Sequence, residues 1–155
     1  VSVEFMLGSW RGHGVHTGHP LDGVLEAYGW HGKRFDSAEA VHPLLFRSGR
    51  GMVSALNPAL LAPALPLIRR MPVPKSATLG LLFRFVLPVL ATTRSTARLR
   101  MTTYRGKSSA TMIYDRLPIN DIFRRIDDTH VLGLMDLKGM AQPLFFMLER
   151  ETPEF

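Results

Sequence analysis

The side chains able to move protons or hold charge stand in two distant groups: His16, Asp22 and Lys33 near the start, Tyr114 and Asp121 far downstream. An imidazole, carboxylates, an ammonium and a phenol are the groups from which an acid/base pair is drawn, of the kind that serves an isomerase, hydratase or lyase. Three histidines, His13, His16 and His19, are spaced by three. On an extended chain that spacing turns them to different faces, whereas two zinc ligands on one strand face sit two or four apart, and only Asp22 is near enough to add to the set. No metal is therefore expected, and these imidazoles are expected to bond to backbone at a strand-to-loop rim. Asp22 lies in a Pro20-Leu21-Asp22-Gly23 turn, where an aspartate commonly bonds to backbone two residues on.

Period-two alternation after Gly29 puts Trp30, Gly32, Arg34 and Asp36 on one strand face and His31, Lys33 and Phe35 on the other. A lysine buried beside Phe35 would need a carboxylate or an anionic ligand. The plainer expectation is that its ammonium snorkels to solvent. The densest polar cluster is downstream, where Tyr114, Asp115, Asp121, Arg124, Asp136 and Lys138 fall on consecutive extended segments. Turned inward, they would form a polar patch in an apolar cup, the means by which small-molecule sites orient a ligand. Turned outward, they are surface ion pairs of little worth. Alternation leaves the two open, because Ile119, Asp121, Phe123 and Arg125 alternate with Asn120, Ile122, Arg124 and Ile126.

The chain is 155 residues long, the usual size of one domain, and has no cysteine. Thiol catalysis, disulfides, cysteine-ligated zinc and iron–sulfur clusters are thereby excluded. No P-loop, dinucleotide fingerprint or serine nucleophile elbow occurs. The formal charge of +6 is scattered from Arg11 to Arg150 without a basic block, so nucleic acid is not an expected partner. Val1–Leu7 lacks the pattern of a secretory signal, and a cytoplasmic location is expected.

The elements that must position these groups are mostly strands. Arg98–Tyr104, Ser108–Asp115, Ile119–Ile126, His130–Lys138 and Leu144–Arg150 have strand length and composition, and the gaps of three to five residues between them join antiparallel neighbours. Gly8–His16, Trp30–Asp36, Val41–Arg47 and Arg50–Leu56 add four more. The expected fold is a mainly β, single antiparallel barrel of about eight to ten strands, formed as one domain over residues 1–155. Residues 57–92 interrupt it with an apolar, almost acid-free, proline-rich insert. Ser76 is a suitable N-cap for a helix over Ala77–Leu90 that turns Leu79, Leu82, Phe83, Val86 and Leu87 to one face. Pro63 and Pro66 allow only a short or irregular helix after Asn57. The run is too short to span a membrane and carries Arg84 at its centre, so a lid or plug is expected, with transient membrane contact through 57–92 as an additional role.

The most specific string is GSWRGHGVHTGHPLDG, Gly8 to Gly23. With Gly29-Trp30-His31-Gly32-Lys33-Arg34-Phe35 it resembles the GXWXG protein family. Tyr104 to Lys138 resembles the uncharacterised companion domain that follows it in that family. A more distant similarity is to lipocalins, in which a Gly-x-Trp on the first strand lies beneath an arginine of the last. Trp10 and Arg150 stand in those places. The Gly8, Trp10, Gly12, Gly14 spacing is also similar to that of nitrobindin barrels, which makes haem a third, minor option beside no cofactor at all. The lipocalin resemblance implies a lipocalin-like barrel around a hydrophobic small molecule such as a fatty-acid-like or other organic acid. Trp10, His16, Trp30, Arg34, Tyr114, Met135 and Phe146 are the expected lining, with Arg100 or Arg124 turned inward to hold the carboxylate. On the bland reading, Trp10 plugs the closed end and its neighbouring glycines merely let the strand bend.

Overall fold

The computed structural model describes residues 1–152. Nine strands form a single antiparallel sheet: β1 Gly8–Val15, β2 Trp30–Phe35, β3 Val41–Arg47, β4 Val53–Ala55, β5 Ala97–Tyr104, β6 Lys107–Tyr114, β7 Ile119–Arg125, β8 His130–Leu137 and β9 Leu144–Arg150. β5 to β9 run as a meander, β9 pairs with β1, β1 with β2, and β2 with β3. A bridge from Val41 to Ala97 then joins β3 to β5 and closes a ring of eight strands, with β4 as a flap on β3. The expected mainly β barrel is thus what these residues build, and closure removes the exposed edges of the eight strands in it.

The seam between β3 and β5 is narrow because the insert leaves the sheet there. Its ends are tied by a Leu56–Ala91 bridge and by Asn57 N–H donating to Leu90 O and Thr92 N–H to Ala55 O. Inside it, Pro58–Ala64 form a 3₁₀ stretch that runs into one turn, α3 (Leu65–Ile68), as the prolines require. The long helix of the insert, α4, spans Ala77–Leu90 with the Ser76 hydroxyl accepting from Leu79 N–H. Its buried side differs from the expected one. Gly80 and Leu87 are buried and Phe83 packs on the core, while Leu79, Leu82 and Val86 are exposed. Gly80 sets that rotation: a Cβ there would fall 2.0 Å from Ala27 O, in the short helix α2 (Val24–Ala27). No helix among the described residues is long and apolar enough to cross a membrane.

The insert covers one end of the barrel, contributing Leu65 and Leu87 to the core. The other end is closed by α1 (Val3–Met6), a turn that alternation did not announce. Met6 and Trp10 are fully buried there, and the Trp10 Nε1–H donates to Met6 O at 2.7 Å. Arg150, directly opposite Trp10 on β9, lays its guanidinium 4.3 Å from the indole centroid and donates to Leu7 O and Phe5 O. This is the bland reading of Trp10, a plug.

Candidate functional site

The interior holds one charged pair. Lys33 Nζ lies 2.8 Å from Asp121 Oδ2, with both side chains almost wholly buried at 3% and 2% exposure. Lys33 also donates to Pro43 O at 3.1 Å. Around its ammonium stand the rings of Phe146 at 5.0 Å, Trp30 at 5.4 Å and Tyr114 at 6.0 Å. Met112 and Met135 flank Asp121 in the ladder on either side. The lysine therefore does not snorkel to solvent; it has the carboxylate that burial beside Phe35 demands.

Local sequence explains how Lys33 and Trp30 come to share the interior. Strict alternation would send them to opposite faces, but β2 slips register against β3 between Trp30 and Gly32 and again between Gly32 and Arg34. Gly32 holds φ 152°, and a Cβ there would fall 1.9 Å from Trp10 O. Only glycine fits, and the irregularity turns Trp30, Lys33 and Phe35 all into the core. Two further glycines make room for rings. A Cβ on Gly12 would meet the Trp30 indole at 2.3 Å, and one on Gly133 would meet Phe146 at 2.1 Å.

The pair is incompletely satisfied. Asp121 Oδ1 and Trp30 Nε1 are buried without a hydrogen-bond partner. Burial pushes the Asp121 carboxyl above its ordinary value, and the Lys33 charge and hydrogen bond pull it back only in part. Burial likewise raises the Tyr114 phenol, and the negative charge of Asp121 adds to that.

Trp30 also borders a crevice of about 240 Å³ on the outside of the wall, beyond Arg11 and Gly32, the last paired residues of β1 and β2. Arg11, Arg47 and Arg84 line it with His31 and Glu26. Arg47 donates to His31 Nδ1 at 3.2 Å, which leaves Nε2–H to donate to Glu151 at 2.9 Å. Glu26 accepts from Gly14 N–H, and Arg84 Nε is buried with no partner. Three guanidiniums against Glu26 and the His31-bound Glu151 leave the crevice with a positive balance.

Among the residues expected at the site, Trp30, Lys33, Tyr114, Asp121, Met135 and Phe146 come together. Trp10 belongs to the closed end. Arg34, Arg100 and Arg124 require correction, because all three are on the outer face. Arg34 pairs with Asp36 at 3.0 Å, Arg100 with Glu39, and Arg124 donates to Tyr104 O at 3.0 Å. Their strand neighbours Phe35, Leu99 and Phe123 take the inward positions. His16 lies exposed just past the end of β1. Asp22 is a turn holder: its Oδ2 accepts from the N–H groups of Thr17, Gly18 and His19, residues before it rather than after. Desolvation alone would raise its carboxyl, but those donors outweigh it and hold it below the ordinary range. His19 is buried and bonds to Leu21 N–H and Gln142 O. Among the described residues no group of three or more histidines and carboxylates is placed to hold a metal ion. Sequence reasoning missed the arginine crevice, since Arg11, Arg47 and Arg84 come from three separate elements with no shared spacing.

A family model described as GXWXG protein matches residues 1–51, and a second, a domain of unknown function (DUF4334), matches residues 95–150. A solved structure of a protein from Thermomonospora curvata is 36% identical over 98% of this chain and 79% of that one, with a TM-score of 0.69. The chain belongs to the GXWXG protein family. No curated protein matches it. The two matched segments of this GXWXG protein meet at the buried pair, for Lys33 lies in the first and Asp121 in the second. The insert lies almost wholly between them.

Proposed function

We propose that the barrel binds a hydrophobic organic anion of fatty-acid type, with Lys33 as the cation that holds its carboxylate. The observation that carries this reading is the Lys33–Asp121 pair, buried among three aromatic rings and left with an unpartnered carboxylate oxygen. A buried ion pair is no asset to stability, since well-packed apolar residues of like volume do as well or better. A fixed ammonium among apolar side chains is, however, the group that recognises an acid. The ligand's carboxylate displaces Asp121 from Lys33, and Asp121, whose carboxyl is already raised, takes up a proton from solvent. Net charge at the site is thereby conserved. The arginine crevice attracts the anion, and Trp30, shared by crevice and interior, is the movable partition.

The test is a titration of the full chain with a fluorescent fatty acid, alongside native mass spectrometry of the protein as purified. The acid is expected to bind with uptake of one proton, seen in calorimetry across buffers of different ionisation enthalpy. The doubly apolar variant Lys33→Met with Asp121→Leu is expected to lose its preference for the acid over the matching alcohol. A protein that is purified empty and does not shift the probe overturns the proposal.

A second reading, acid/base catalysis on a small organic substrate, is favoured by Asp121 Oδ1, a buried base without a partner beside the Tyr114 phenol. It requires that Asp121→Asn abolish turnover while leaving ligand affinity within a few-fold.

A further inference from the structure

We infer that the insert docks this protein on an anionic lipid surface, with α4 lying in the plane of the headgroups. Among the described residues, eleven of the thirteen large apolar side chains that are exposed fall between Met52 and Val89. On α4 they form one face with an arc of about 160° at 3.6 residues per turn: Leu79, Leu81, Leu82, Phe85, Val86 and Val89 face outward, Val89 at 87% exposure. Only Thr78 and Arg84 are polar in the helix, and Arg84 turns toward Gly29 on the barrel side. A helix apolar on every face is stable only when both its sides are covered, and here the barrel covers one.

Charge decides what covers the other. No aspartate or glutamate occurs between Glu39 and Asp115, a stretch that carries eleven of the nineteen basic residues. Lys75 immediately precedes α4 and Arg94 follows it. Arg50 sits beside its middle, in the turn whose Gly49 N–H donates to Arg84 O. Arg70 lies exposed just past α3, whereas Arg69, the C-cap of that turn, packs on Gly139. Among the described residues the exposed Arg50, Arg70, Lys75 and Arg94 form no ion pair. An apolar face framed by unpaired bases fits the boundary between acyl chains and anionic headgroups. A second copy of the same face would set these bases against each other. The helix has 14 residues, about 21 Å of length against the roughly 30 Å of a bilayer core, so it lies in the interface and does not cross.

This inference stands apart from the ligand proposal and is tested without any ligand. The full chain is sedimented with vesicles of phosphatidylcholine alone and of phosphatidylcholine and phosphatidylglycerol in equal parts, at low and high salt. Binding to the anionic vesicles, weakened by salt and much weaker on phosphatidylcholine, is the expected result. Phe85→Glu with Val89→Glu, both at exposed positions, should reduce partitioning by about tenfold or more. Arg70→Ser with Lys75→Ser, both at exposed positions, should weaken binding to anionic vesicles only. A wild-type chain that stays in the supernatant with both vesicles overturns the inference, as does binding indifferent to Phe85→Glu with Val89→Glu. So does a dimer that those two substitutions dissociate, in a chain that ignores vesicles, because it assigns the face to a second copy.

Discussion

The two ends of the barrel each present a tryptophan beside a glycine and near a cation, and they use it differently. At the α1 end, Trp10 is fully buried, its Nε1–H reaches Met6 O, and Arg150 both stacks on it and satisfies two carbonyls. At the insert end, Trp30 buries its Nε1 with no partner, near an ion pair that is itself short of one. The first end is complete as it stands. The second is a set of polar groups that an apolar core of the same volume would not need, under a cap whose outer face is itself uncovered. Stability is therefore concentrated at one end and adaptability at the other.

The sharpest way to break that contrast is to unpair the buried charges. Lys33→Met alone leaves Asp121 in the core without its partner, to stay charged or take up a proton there, and should cost about 3–5 kcal/mol in urea unfolding. Adding Asp121→Leu should recover most of that loss, because an apolar pair suits the site. If the double variant is as unstable as the single one, the pair is structural and the capped end is no less complete than the closed one.

The contrast was half legible in the sequence. Strand spans and the α4 span follow from alternation and capping, which are local signals, while the Trp10–Arg150 pairing is what the resemblance to lipocalins implies. The sequence around Lys33 favours snorkelling, since one strand says nothing of the Asp121 that arrives from β7 about ninety residues later. Alternation places Trp30 on the face opposite Lys33, because the slip around Gly32 depends on Trp10 O in a neighbouring strand and no period in β2 reveals it. The face that α4 buries is hidden from the sequence for a like reason. Every face of that helix is apolar, so hydrophobicity could not choose, and the choice falls to Gly80 meeting the Ala27 backbone.

Replacing each indole by phenylalanine separates the ends more finely. Trp10→Phe removes the donor to Met6 O and part of the surface under Arg150, and should destabilise by about 2–3 kcal/mol. Trp30→Phe removes no hydrogen bond and should cost about 1 kcal/mol less, read as the difference in denaturation midpoints. Equal losses would mean that Trp30 is as firmly held as Trp10.

The smallest effect concerns pH. His42 is buried on β3 and borders, with Pro88 and Ala91, a cleft under the end of α4. Desolvation and the nearby Arg34 push its imidazole below the ordinary 6.5, and the contact with Asp36 only partly opposes them. The folded state thus binds fewer protons than the unfolded one, so stability rises with pH through this group. It is fully present above the unfolded value and is lost as pH falls below about 6.5 toward the depressed folded value. The raised carboxyl of Asp121 acts with opposite sign, favouring the folded state as it protonates, and it is common to wild type and any His42 variant. The difference between wild type and His42→Gln therefore isolates the imidazole. Urea midpoints taken between about pH 7 and pH 5 should fall more steeply for wild type, since glutamine retains a donor for Asp36 without acquiring charge. Parallel slopes would show that acid leaves the seat of α4 intact and that its hold on the barrel does not depend on a neutral His42.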